Sequence, residues 1–120
     1  MPVTSTSPDI YAGPQVQLIS NGDTAITIAQ GLALIAATSA LSLTLASPRY
    51  GADDGKMLTI TSAGDLAHTI HAAPASINRL YQTIALNGWT GNSVTLIAFE
   101  GGWLLFTFGS ATDAGTATLS

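Results

Sequence analysis

The stretch Asp53-Asp54-Gly55-Lys56-Met57-Leu58-Thr59-Ile60-Thr61 decides how this chain folds. A tight acidic-Gly turn opens directly into residue-by-residue alternation of apolar and polar side chains. Period two is the signature of a strand with one buried face. Outward from this stretch the same rhythm recurs, in Leu41-Ser42-Leu43-Thr44-Leu45 and in Ser93 to Phe99. The reading is therefore all-β.

Short strands and turn signals alternate from Val16 onward. Val16 to Ile19 runs into Asn21-Gly22-Asp23, which reads as a hairpin turn to Ala25 to Ile28. Leu32 to Ala36 is read as a strand because Thr38-Ser39 interrupts it too early for a stable helix. Met57 to Ser62, Ala67 to Ala72 and Leu80 to Leu86 follow. Ser93 to Phe99 turns at Glu100-Gly101-Gly102 into Trp103 to Phe108, and Thr118-Leu119-Ser120 adds a final edge. This spacing predicts a compact antiparallel β-barrel or sandwich of about eight short strands.

Residues 1–17 stand apart. They carry Pro2, Pro8 and Pro14, three of the five prolines, and proline at that density blocks helix and central strand alike. We read them as an extended N-terminal arm with Val3, Ile10, Tyr11 and Val16 as apolar anchors that order on a partner. Residues 18–120 then form a single β domain.

Composition narrows the function. The chain has 120 residues, and only 8% of them are charged, about a third of the usual ~25%. So few charges leave little to oppose self-association, which points to a surface covered by copies or by a partner. Arg49, Lys56 and Arg79 are too scattered for a nucleic-acid stripe. Cysteine is absent, which removes disulfides and thiolate metal sites. The longest apolar-leaning run, Leu32 to Ala40, is about half a membrane span. No basic-then-apolar leader opens the sequence, and the expectation is a soluble chain with no membrane contact.

Candidate chemistry is sparse. His68 and His71 are three apart, so a strand sends them to opposite faces and they cannot share one ion. Asp53-Asp54-Gly55 lacks the alternating oxygen ligands of a calcium loop; it reads as a turn whose Asp side chains bond their own backbone. There is no Gly-x-Ser-x-Gly elbow, and the single Glu, Glu100, falls in a hairpin turn. No catalytic, cofactor-binding or metal site is expected, and the chain reads as non-enzymatic. Among the aromatics, alternation places Trp103 and Leu105 on one face of the last hairpin strand and Leu104, Phe106 and Phe108 on the other. A strand apolar on both sides marks core or a subunit interface. Trp89, in a Gly/Asn loop, is the one aromatic placed for sugar stacking together with Trp103.

Five segments from Leu41 to Trp103 carry a resemblance. They are the strand ending Ala46-Ser47-Pro48, then Asp54-Gly55-Lys56-Met57-Leu58-Thr59-Ile60, Ala67-His68-Thr69-Ile70, Gly91-Asn92-Ser93-Val94-Thr95-Leu96-Ile97-Ala98-Phe99, and Gly102-Trp103. Together they resemble the small all-β capsid decoration (cement) proteins and related head-fibre modules of tailed bacteriophages. The matching residues are turn and core positions over roughly half the chain, and no catalytic residue carries over. The proline-bearing N-terminus departs from many fibre modules. The resemblance implies a homotrimer on the outer surface of the virion, bound to the major capsid protein and gaining avidity from many contacts. The rival expectation is a receptor- or glycan-binding module of a phage fibre, which requires exposed Trp89 and Trp103.

Overall fold

The computed structural model describes residues 15–109 and 117–120. Ten strands run through them: β1 (Val16–Ile19), β2 (Ala25–Ile26), β3 (Gly31–Ile35), β4 (Ser42–Leu45), β5 (Met57–Ser62), β6 (Thr69–His71), β7 (Thr83–Ala85), β8 (Ser93–Phe99), β9 (Gly102–Gly109) and β10 (Thr118–Leu119). They form two five-stranded sheets. Sheet A has the order β1-β3-β5-β8-β9 and sheet B the order β10-β7-β6-β4-β2. The chain is all-β, and the two sheets make an open sandwich rather than a closed barrel.

Pairing departs from the antiparallel expectation. From β1 to β6 the chain changes sheet after every strand, so β1, β3 and β5 lie parallel in sheet A. By the same alternation β2, β4 and β6 lie parallel in sheet B. The result is three stacked two-strand coils. Antiparallel pairing takes over at β5·β8, β8·β9, β6·β7 and β10·β7. Asn21-Gly22 is indeed a tight turn, with the Asp23 N–H donating to Ser20 O at 3.1 Å. It does not make a hairpin, because β2 leaves it for the opposite sheet.

Each strand buries one side. In sheet A the inward residues are Ile19, Ala33, Ile35, Leu58, Ile60, Val94, Leu96, Ala98 and Trp103; in sheet B they are Ile26, Leu43, Leu45, Ile70 and Ile84. Burial of a side chain of this size stabilises by about 1.5–3 kcal/mol. The core is rich in β-branched residues, whose stiff χ1 suits a pleated surface.

The ends of the coil stack are closed by side chains. Gln17 on β1 donates from Nε2 to Ala25 O at 3.0 Å, and its Oε1 accepts from the Thr27 N–H at 2.9 Å. Those two backbone groups belong to the free edge of β2, so one amide side chain ties both open edges together. Val16 and Gln17, expected in the arm, are thus the first residues of β1, with Val16 opposite Leu32. At the far side, residues 76–78 run along the first half of β9. There the Trp103 N–H donates to Ser76 O at 2.7 Å and the Asn78 N–H to Trp103 O at 2.8 Å. The Leu105 N–H donates to Asn78 Oδ1.

Trp103 is 1% exposed and its indole N–H donates to Ala46 O at 3.3 Å. Trp89 is 48% exposed. Replacing Trp103 by Ala is expected to lower unfolding stability by about 3–5 kcal/mol, as for a large buried aromatic. Trp89→Ala should cost about 1 kcal/mol or less, as surface sites do. Urea titration of both variants checks this, and equal losses would contradict the assigned core.

Candidate interaction surface

The outward rows of the two sheets differ in chemistry. On sheet B, register aligns Ala25, Thr44, His71 and Thr83 in one row and Ser42, Thr69, Ala85 and Thr118 in the next. Apart from the His71 imidazole, that face is short side chains and hydroxyls. On sheet A, Val16 lies beside Leu32 and Leu18 beside Leu34. Met57, Ile97 and Leu104 form a third row; Thr59, Thr61 and Thr95 fill the middle, and Thr107 sits on the β9 edge. No residue in these sheet A rows is charged. Val16 is 64% exposed, Leu18 63% and Met57 43%, which no single folded chain requires.

The last hairpin puts its aromatics where alternation alone does not. A bulge opposite Thr95/Leu96 leaves Phe106 and Thr107 both exposed and resets the alternation after them. Trp103 and Leu105 point inward as the spacing implies. Leu104 is outward and Phe106 is 61% exposed. Phe108, expected beside them, instead pairs with Val94 and packs on the core. One extra residue in a strand flips the parity of everything beyond it, and no residue type in this run announces it. The turn before it was legible: Glu100 and Gly101 adopt φ of 50° and 80°, the left-handed pair of a two-residue hairpin.

The acidic turn borders the same face. Asp53 is buried, and its carboxylate accepts from Lys56 Nζ at 2.7 Å and from the Arg49 N–H at 2.7 Å, with the Arg49 guanidinium at 3.3 Å. The Lys56 bond first, then the two from Arg49, hold its carboxyl well below the usual range. Asp54 Oδ1 accepts from the Gly51 and Glu100 N–H groups at 3.2 and 2.9 Å, clamping this loop to the β8–β9 turn. Asp53-Asp54-Gly55 is therefore a self-bonded turn, as its residues imply. Between it and the start of β3 lies an open groove of about 780 Å³, lined by Gln30, Leu32, Lys56, Met57 and Thr59 among others. Gln15 enters beside it, its carbonyl accepting from the Leu32 N–H at 2.8 Å. Gly31 is required there, because a Cβ would overlap the Gln15 backbone. Val3, Ile10 and Tyr11 lie outside the described residues.

At the opposite end, Asp65 Oδ1 accepts from the Thr90 hydroxyl at 2.6 Å and N–H at 2.8 Å, bonds that lower its pKa and pin the loop presenting Trp89. Among the described residues no three His, Asp or Glu side chains gather as a metal site, and no helix is long and apolar enough to cross a membrane. No family model matches the chain, and no curated protein matches it.

His68 and His71 separate as the spacing implies. His71 is exposed, with Nε2 3.1 Å from Ser42 Oγ. His68 is 1% exposed, and its Nδ1 accepts from the Leu41 N–H at 3.0 Å, which joins two successive coils. That bond assigns the proton to Nε2, and burial pushes the imidazole below its ordinary value of 6.5. Protonation would set a second N–H against that of Leu41. A depressed histidine pKa means the unfolded chain takes up the proton first as pH falls. Stability from this site is complete above about pH 6.5 and declines below it. Thermal midpoints should therefore fall from about pH 7 to about pH 5, and the slope should flatten in His68→Asn, whose amide oxygen lies at the Nδ1 position and can accept the same bond. An unchanged slope in that variant would assign the effect elsewhere.

Proposed function

We propose that this chain is a non-enzymatic viral structural protein. It is a capsid decoration (cement) protein that binds the outer surface of a tailed-phage head as a trimer and stabilises contacts between capsomers. The observation that carries the reading is the charge-free outer face of sheet A, with leucines and threonines side by side, joined to a composition with 8% charged residues. Such a surface suits a protein that works covered, by copies of itself and by the major capsid protein. The segmental resemblance between Leu41 and Trp103 supports the same assignment. Ordered turns, with Asp53, Asp54 and Asp65 each accepting at least two hydrogen bonds, make a stiff module. Stiffness lowers the entropic cost of each contact made on a shell.

The rival reading, a receptor- or glycan-binding module of a phage fibre, needs a stacking platform. Trp89 is exposed on a pinned loop and favours it. Trp103 does not, since it lies in the core. One aromatic without its partner is a weaker platform than the extended face of sheet A.

Cosedimentation with phage heads stripped of their decoration protein tests the proposal. Saturable binding and heads more resistant to heat are expected. No binding to heads, with sugar affinity lost in Trp89→Ala, would favour the rival. The arm adds a graded test. Deleting residues 1–14 should leave the β circular-dichroism spectrum and thermal midpoint nearly intact while weakening attachment to heads. Deleting 1–17 also removes Val16 and the Gln17 bonds that close the coil stack, and should lower the midpoint as well.

A further inference from the structure

We infer that Asn21 is a modification site. Its side-chain amide is lost by ring closure onto the Gly22 nitrogen, at a rate set by how often the contact between Asn21 and Thr38 opens. The chain holds two Asn-Gly pairs, Asn21-Gly22 and Asn87-Gly88, and their surroundings differ. Ser20, Asn21, Gly22 and Asp23 are all exposed. Gly22 has a φ of 92° at the third position of the Ser20–Asp23 turn, where the left-handed region suits a residue without Cβ. No side chain of its own shields its nitrogen, and among the described residues its N–H has no hydrogen-bond acceptor. Asn87 and Gly88, by contrast, are half-buried. Asn87 Oδ1 is buried, and the Asn87 N–H donates to Asn92 Oδ1 at 2.8 Å. The bonds from Thr90 to Asp65 pin the loop that follows. Exposure and an unencumbered nucleophile select Asn21.

The reaction needs only the pair itself and water. The Gly22 nitrogen attacks Asn21 Cγ. The N–Cγ bond forms, the Cγ–Nδ2 bond breaks, and the proton from the Gly22 nitrogen leaves with Nδ2 as ammonia. Water then opens the five-membered imide at either carbonyl. One product is an aspartate with the ordinary main-chain link, the other an aspartate linked through its side-chain carbon. The fold restrains the first step. The Thr38 N–H donates to Asn21 Oδ1 at 3.0 Å, and Asn21 Nδ2 donates to Thr38 Oγ. Asn21 lies between β1 and β2 and Thr38 between β3 and β4, so this tie joins successive corners of the coil stack. Ring closure pulls the side chain back over its own main chain, whereas Thr38 holds the same amide extended toward the next corner. The tie must therefore open before the ring can close. Both products add one negative charge to the net −4 and lose the Nδ2 donor. The side-chain-linked product also lengthens the main chain by a methylene and leaves a shorter side chain. Its reach to Thr38 is gone, and the two corners stay untied.

Ageing the full chain in mildly alkaline buffer, followed by tryptic digestion and mass spectrometry, tests the inference. Cleavage after Arg49 and Arg79 puts Asn21 and Asn87 in different peptides, so each amide loss is read separately. In the folded chain Asn21 should convert first. In urea the two Asn-Gly pairs should convert at similar rates, both faster than in the fold. Thr38→Val keeps the side-chain shape and removes the hydroxyl. It should speed conversion at Asn21 about 2- to 10-fold, as for the loss of one hydrogen bond, and leave Asn87 unchanged. Thr38→Ser, which restores the hydroxyl, should return the rate toward that of the unaltered chain. The side-chain-linked product, separated by ion exchange, should melt below the unmodified protein. Conversion at Asn21 no faster than at Asn87 in the fold overturns the inference. So does an Asn21 rate that Thr38→Val leaves unchanged, or a converted protein with an unaltered midpoint. None of these outcomes bears on the capsid reading, which stands or falls on binding to stripped heads.

Discussion

Every strand from β1 to β6 must cross to the facing sheet before its parallel neighbour can form. That constraint governs the rest of the molecule. A parallel pair cannot be closed by a two-residue turn, so each pair in this small sandwich is separated by a whole coil. Because the coils stack in register, a buried residue in one lies beside a buried residue in the next. Ile19 beside Ile35 and Leu43 beside Ile70 are two such pairs. The core is thus built by lateral repetition, and the outward rows repeat with it. The apolar row on the outside of sheet A and the apolar core inside it follow from the same stacking.

A stack of coils has open ends, and the polar side chains of the fold are spent closing them. Gln17 bridges the free edges of β1 and β2. Asn21 reaches across to the backbone of Thr38 at 3.0 Å, and His68 to that of Leu41, so successive corners are tied as well as successive strands. The antiparallel strands β7 to β10 finish the other side, with residues 76–78 covering the start of β9. The same distribution leaves the apolar face of sheet A free of charge and available for contact.

Strand existence was legible in the sequence and strand pairing was not. Met57 to Ser62 and Ser93 to Phe99 were readable to the residue, because period-two alternation is a local property of the chain. The Asn21-Gly22 turn was also readable, but turn chemistry is identical whether the next strand folds back in its own sheet or crosses to the other. The coil repeat had no fixed period to find: Val16 to Leu32 spans sixteen residues, whereas Leu32 to Thr59 spans twenty-seven, the second coil carrying the Asp53–Asp54 loop. In the candidate surface, Leu104 and Phe106 were recognised as two-sided apolar positions. Phe108 was misplaced because a bulge shifts parity without leaving a compositional mark. Nothing in the sequence separates Leu18, Leu34 and Ile97 from core positions, since an outward aliphatic residue in a strand looks like core until the opposing sheet is known.

The proposed function as a covered surface therefore depends on the coil topology: parallel stacking of β1 on β3 places Val16, Leu18, Leu32 and Leu34 together on one outer flank. Scalar couplings transmitted through backbone hydrogen bonds, measured by NMR on labelled protein, read that topology directly. The account predicts a coupling from the Ala36 amide to the Ile19 carbonyl in sheet A and from the Ala46 amide to the Ile26 carbonyl in sheet B, where the donor–acceptor distances are 2.7 and 3.0 Å. Couplings joining Val16–Ile19 to Ala25–Ile28 across Asn21-Gly22 would instead show an antiparallel hairpin, and would contradict it.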